Sequence, residues 1–99
     1  MPVNLSAPNK ADIVAIKGIK LASTPAGIKE NGTSDLVLIE LAQGSTVASV
    51  YTQNAFCAAP VIVAKQHQQQ TAPRYLLINA GNANAGTGQQ GLEVAQQCC

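Results

Sequence analysis

Between Leu36 and Leu41 the chain reads Leu-Val-Leu-Ile-Glu-Leu. Alternate residues of a strand point to opposite faces, so a run this apolar puts hydrocarbon on both of them. Such a strand belongs inside a sheet that is covered above and below. Its flanks say where the neighbours lie. Upstream, Lys29-Glu30-Asn31-Gly32-Thr33-Ser34 is a turn, and Asn-Gly between two strand-forming segments is a hairpin signal because both residues tolerate positive φ. Before it, Ile13 to Lys20 alternates loosely, and Ile19 and Leu21 carry the alternation on toward Pro25, predicting a half-buried strand. The inner strand itself is expected over Asp35–Leu41. Downstream, Gln43-Gly44-Ser45 turns the chain, and the β-branched stretch Thr46 to Thr52 (TVASVYT) predicts a third strand.

The second half changes period. Pro60 suits a first helical turn, and Val61, Ile62 and Lys65 recur at helical spacing, predicting a helix from Ala59 to Gln69 with Gln66-His67-Gln68-Gln69-Gln70 as its solvated end. Pro73 restarts an extended segment, and Tyr75-Leu76-Leu77-Ile78 reads as another buried strand. A glycine- and asparagine-rich loop follows from Asn79 to Gly86. Gly88 to Cys99 is expected to be helical, with Leu92, Val94 and Ala95 as its apolar contacts. Residues 1–12, with Pro2 and Pro8, read as an extended lead-in. The order is βββαβα, an α+β arrangement in one domain spanning residues 1–99, without linker or repeat. Residues 92–99 read as helix interior with no Gly, Asn or Pro to end it, so that domain is expected to be incomplete.

Composition narrows the function classes. The three aromatic residues are Tyr51, Phe56 and Tyr75, so a core must be built from Ala, Val, Ile and Leu. Lys10, Lys17, Lys20, Lys29, Lys65 and Arg74 are scattered, whereas nucleic-acid binders gather such residues on one face. No apolar run reaches the roughly 20 residues of a membrane helix. Met1-Pro2-Val3-Asn4-Leu5 lacks the pattern of a signal peptide, so a cytoplasmic protein is expected and the sequons at Asn4 and Asn31 are expected to carry no glycan. Cys57, Cys98 and Cys99 are odd in number and match no zinc spacing, and adjacent Cys98 and Cys99 diverge. Free thiols and no metal site are expected.

The segment Asn79 to Gly91 (NAGNANAGTGQQG) holds the motifs. Gly86-Thr87-Gly88-Gln89-Gln90-Gly91 is a literal G-x-G-x-x-G, which would make a small nucleotide-binding module if a strand turned there directly into a helix. Seven residues, Asn79 to Ala85, intervene. Gly81 and Gly86 have P-loop spacing, but Thr87 and Gly88 stand where that motif needs Lys and Ser/Thr. Thr87 with Gln90 forms a T-x-x-Q capping box, with Gly and Asn before it shaping tight turns. Elsewhere His67 lies among glutamines and reads as a surface residue. Lys29 reads as part of a solvated turn. Asp35 and Glu40 have no partner assigned by sequence, and no Ser/His/Asp or Cys/His arrangement is present. A non-catalytic structural or interaction domain is the remaining alternative.

Three segments together resemble one family. Ala26-Gly27-Ile28-Lys29 leading to Asp35-Leu36, then Val50-Tyr51-Thr52-Gln53-Asn54 with Ala59-Pro60-Val61, then Asn79 to Gly88 occur in the order and spacing of the ornithine acetyltransferase (glutamate N-acetyltransferase) family. The third block is similar to the family's N-S-G-N-A-N-A-C-T-G, with Ala80 in place of Ser and Gly86 in place of Cys. The resemblance runs from about Ile16 to Cys99, and implies an N-terminal part of the family's α chain. It implies a layered α/β/β/α sandwich, self-cleavage at an Ala-Thr bond, and a freed N-terminal threonine as nucleophile. That threonine takes acetyl from N-acetylornithine and gives it to glutamate in arginine synthesis; some members also use acetyl-CoA, and no other cofactor is implied. The implied partners are the rest of the α chain and the β chain, in an α2β2 heterotetramer. No Ala-Thr pair occurs in this chain, so no catalytic residue is carried over and the segment alone is expected to be inactive. Asn79, Gly81, Asn82, Asn84, Thr87 and Gly88 match the family's loop, in an expected structural role.

Overall fold

The computed structural model describes residues 3–99; Met1 and Pro2, read above as lead-in, lie outside the described residues. A short 3-10 turn, Lys10–Asp12, precedes β1 (Ile19–Thr24), β2 (Leu36–Leu41), α1 (Ala59–Gln70), β3 (Tyr75–Asn79) and α2 (Gly88–Cys98). The three strands form one antiparallel sheet in the order β1-β2-β3, so the apolar strand is the inner one, as its composition requires. The class is α+β.

The register sorts the two faces. Leu21, Ile39 and Leu76 lie directly across from one another, as do Ser23, Val37 and Ile78, so these share a face with Ile19 and Leu41. The opposite face carries Ala22, Leu38 and Leu77, ending in Lys20, Glu40 and Tyr75. Neither face is closed by the described residues: Leu21 is 70% exposed on one and Tyr75 is 59% exposed on the other. The described chain presents 8310 Å² to solvent, against roughly 5,300 Å² for a folded monomer of its mass. Its tightest apolar burial lies in α1, at Ala59 and Val63, and α1 packs against α2. On α2, Leu92 and Ala95 are half-buried, while Val94, expected inside, is exposed.

The expected third strand over Thr46 to Thr52 does not form, and the order is ββαβα. Both edges of β2 are already taken, by β1 and β3, so these β-branched residues cannot pair with the inner strand. They run beside α1 instead, where Gln68 donates to Val47 O at 3.1 Å and accepts from the Tyr51 hydroxyl. Gln68 is therefore half-buried rather than part of a solvated tail. The first strand is also shorter than expected. It begins at Ile19, because Gly18 sits at φ +89 and breaks the extended run. All of β1 is exposed, not half-buried, since nothing described covers it.

Candidate functional site

One end of the sheet gathers the family-matching residues. Thr24 closes β1, Leu36 opens β2 and Asn79 closes β3, and the three are aligned across the sheet. The connection from Pro25 to Asp35 and the loop from Ala80 to Thr87 therefore leave from the same edge. No two-residue hairpin is made at Asn31-Gly32; Thr24 pairs with Leu36, and the intervening loop is longer.

Asp35 is why that loop holds its shape. The residue is 3% exposed, and its carboxylate accepts from the backbone N–H groups of Ala26 at 2.6 Å, Ile28 at 2.8 Å and Lys29 at 2.8 Å. Its main chain ties both neighbours: Asp35 N donates to Thr24 O at 3.3 Å, and Ala80 N donates to Asp35 O at 2.8 Å. Converging N–H dipoles favour the anion, so the Lys29 and then the Ala26 N–H hold its pKa below the ordinary carboxylate value against the opposing effect of burial. Sequence reasoning left Asp35 without a partner. The signal available was an Asp at a loop-to-strand junction, where short carboxylates take local backbone donors. Lys29 is exposed, as read, but its backbone N–H belongs to this lock.

The two loops touch at Gly81. Its φ is +95, and a Cβ there would lie 2.8 Å from Lys29 Cγ and 3.2 Å from Ile28 Cγ2. Beyond it the asparagines bond among themselves. Asn84, at φ +55, donates its side-chain amide to Asn79 Oδ1 at 2.7 Å. Asn79 Nδ2 donates to Asn82 O at 3.3 Å, and Asn84 N to Asn82 Oδ1 at 3.5 Å. Asparagine supplies both the donor and the acceptor that such a turn requires.

The capping box does not form. Thr87 adopts helical backbone angles (φ −95, ψ −2) and makes no side-chain cap bond. Its side chain lies over Gly91, filling the place of a Cβ there, and its carbonyl accepts from Gly91 N at 3.2 Å. The literal G-x-G-x-x-G is thereby accounted for without a ligand: Gly86 and Gly88 take positive φ, and Gly91 makes room for Thr87. Ala80 to Thr87 separate β3 from α2, so the direct strand-to-helix turn of a dinucleotide site is absent here.

The other titratable groups are dispersed. Glu40 lies between Lys20 and Arg74, at 3.9 Å from each, in pairs partly open to solvent. Arg74 also donates to Leu41 O at 2.9 Å, extending the β2–β3 ladder. His67 is exposed. Cys57 is half-buried, Cys98 and Cys99 are exposed, and all three are free. An open groove of about 760 Å³ runs between Tyr51–Cys57 and α1, with Lys65 and Cys57 on its wall but no acid–base pair. No three His, Cys, Asp or Glu side chains converge among the described residues, and no helix there is long and apolar enough to cross a membrane.

Known proteins resemble this chain in sequence and fold. Over 84 residues the chain is 58% identical to the arginine biosynthesis bifunctional protein ArgJ of Methylococcus capsulatus and 56% identical to that of Pseudomonas syringae pv. tomato, covering 85% of this chain and 20% of each relative. It therefore spans about a fifth of the length of these curated relatives. Among solved structures, the ornithine acetyltransferase of Mycobacterium tuberculosis complexed with ornithine superposes with a TM-score of 0.76 at 34% identity, over 82% of this chain and 42% of that one. The ArgJ protein of Bacillus halodurans superposes at 0.75 with 32% identity, over the same shares. The ArgJ family model itself matches residues 20–99, taking in the sheet, both helices and both loops of the shared edge, and the chain belongs to the ArgJ family.

Proposed function

We propose that the protein carrying this chain transfers acetyl from N-acetylornithine to glutamate in arginine biosynthesis. Family membership across residues 20–99 carries the reading, and the likeness to an ornithine acetyltransferase holding ornithine supports the substrate class. In the proposed chemistry a threonine freed by cleavage of an Ala-Thr bond is the nucleophile, with its own amine as the nearby base. Its Oγ bonds to the acetyl carbon, the amide C–N bond breaks and ornithine leaves with the proton. The amine of glutamate then attacks the acetyl ester and restores the hydroxyl. A Thr-Gly pair stabilises the intermediate's oxyanion. Acetyl-CoA is a second acetyl donor in this scheme.

This chain has no Ala-Thr pair, so the nucleophile lies outside it; Thr87-Gly88 matches the oxyanion pair in composition only and is not assigned that role, the family's pair belonging to a later segment. Residues 1–99 act as one part of a larger domain in a cytosolic α2β2 enzyme, and the edge formed by Asp35 and the asparagine loop is its scaffold. The experiment is an assay of the full-length protein for ornithine release that depends on glutamate. Release is expected, and none from residues 1–99 alone. A correctly processed, folded full-length protein that transfers no acetyl would sink the proposal.

A further inference from the structure

We propose that Asn31 is a site of spontaneous deamidation, a covalent modification confined to this one asparagine of the chain's seven. Three observations carry it. Asn31 is the asparagine that precedes a glycine; Asn4, Asn9, Asn54, Asn79, Asn82 and Asn84 precede Leu, Lys or Ala. Both Asn31 and Gly32 are exposed, and a Cβ at Gly32 would meet nothing within 4 Å. The Asn31 carboxamide also makes no hydrogen bond among the described residues, while those of Asn9, Asn54, Asn79, Asn82 and Asn84 are engaged. Asp35 holds the loop at Ala26, Ile28 and Lys29, so Asn31 and Gly32 lie past the last of these anchors and before Asp35 itself.

The step needs water and no other reagent. The Gly32 peptide nitrogen bonds to the side-chain amide carbon of Asn31, and the absent Cβ at Gly32 removes the steric obstacle to that approach. The neighbouring nucleophile is already at high effective concentration. The bond from that carbon to the amide nitrogen breaks, and ammonia leaves with the proton of the attacking N–H. Water then opens the five-membered imide at either carbonyl, yielding an aspartyl or an isoaspartyl residue at position 31. The chain's formal charge falls from +1 to zero. The three N–H donors on Asp35 are upstream of the change, so the sheet register is left intact.

The test incubates the folded full-length protein at mildly alkaline pH, followed by peptide mapping with mass detection and enzymatic isoaspartyl labelling. The expected result is conversion at position 31 ahead of every other asparagine, lost in both Asn31→Gln and Gly32→Ala. The Gln variant is the control, because Gly32 sits at φ +62 and alanine there also strains the loop. Two results would overturn the proposal. One is an amide retained at position 31 while an unstructured peptide of residues 26–36 converts. The other is conversion of Asn54 or Asn82 as fast as Asn31.

Discussion

Gly81 is a close contact between the two loops of the shared edge, and replacing it tests whether that contact is tight. Gly81→Ala does two separable things. A side chain at φ +95 enters the left-handed region, costing about 1–2 kcal/mol, and the alanine also restricts the unfolded chain, which offsets about 0.4–1 kcal/mol. Gly27→Ala has the same two effects, since Gly27 is at φ +78 with nothing within 4 Å of a Cβ. Only Gly81→Ala adds a collision, at 2.8 Å from Lys29 Cγ and 3.2 Å from Ile28 Cγ2. Carbon atoms prefer about 3.5–4.0 Å. Ile28 is stiff at χ1, and both Ile28 and Lys29 are bonded through their N–H groups to Asp35, so neither backbone yields freely. Overpacking of this kind costs about 1–3 kcal/mol, which is the expected excess of Gly81→Ala over Gly27→Ala. The assay is urea unfolding of the full-length variants, read as a shift in midpoint at unchanged m. Equal destabilisation by the two substitutions would refute the packing argument.

Two further outcomes are expected. Asp35→Asn lowers stability at neutral pH. Because the folded carboxyl titrates below its ordinary value of 3.8, the stability it contributes is fully present above that value and is lost as pH falls through the depressed folded one. The melting difference between wild type and Asp35→Asn should therefore narrow below pH 3.8; a difference constant with pH would contradict the account. Asn84→Ala removes the bond to Asn79 and places alanine at φ +55, for a loss of about 1–3 kcal/mol. Asn84→Gly recovers the backbone part of that loss, and KM for glutamate and N-acetylornithine stays near wild type in both. An unchanged melting temperature with a large change in KM would make the loop a substrate contact.

What could be read from the sequence was local. Pro60 places α1, the apolar run places β2, and Tyr75-Leu76-Leu77-Ile78 places β3, because each signal lies within its own element. The misread pieces depend on distant residues. Thr46 to Thr52 cannot pair with β2, because β3 takes its second edge from more than twenty residues away. The capping box at Thr87 matches its pattern but loses to a helical backbone conformation and to the space over Gly91. The tight turn at Asn31-Gly32 is likewise displaced by Asp35, whose three donors set a longer loop. The family-matching loop was visible as a string of residues, whereas its contact with Ile28 and Lys29 is a fact of the fold.

The two carboxylates of β2 and its entry differ in how they meet dissolved salt. Glu40 faces mobile cationic side chains at 3.9 Å in partly open pairs, and ions in solution compete with those partners directly. Asp35 is neutralised by fixed peptide dipoles within a buried pocket of the chain's own backbone, where a counterion cannot enter without first opening the loop. Rising ionic strength therefore loosens the exposed pairs on the sheet surface while leaving the shared edge, and the path of both loops from it, as they are.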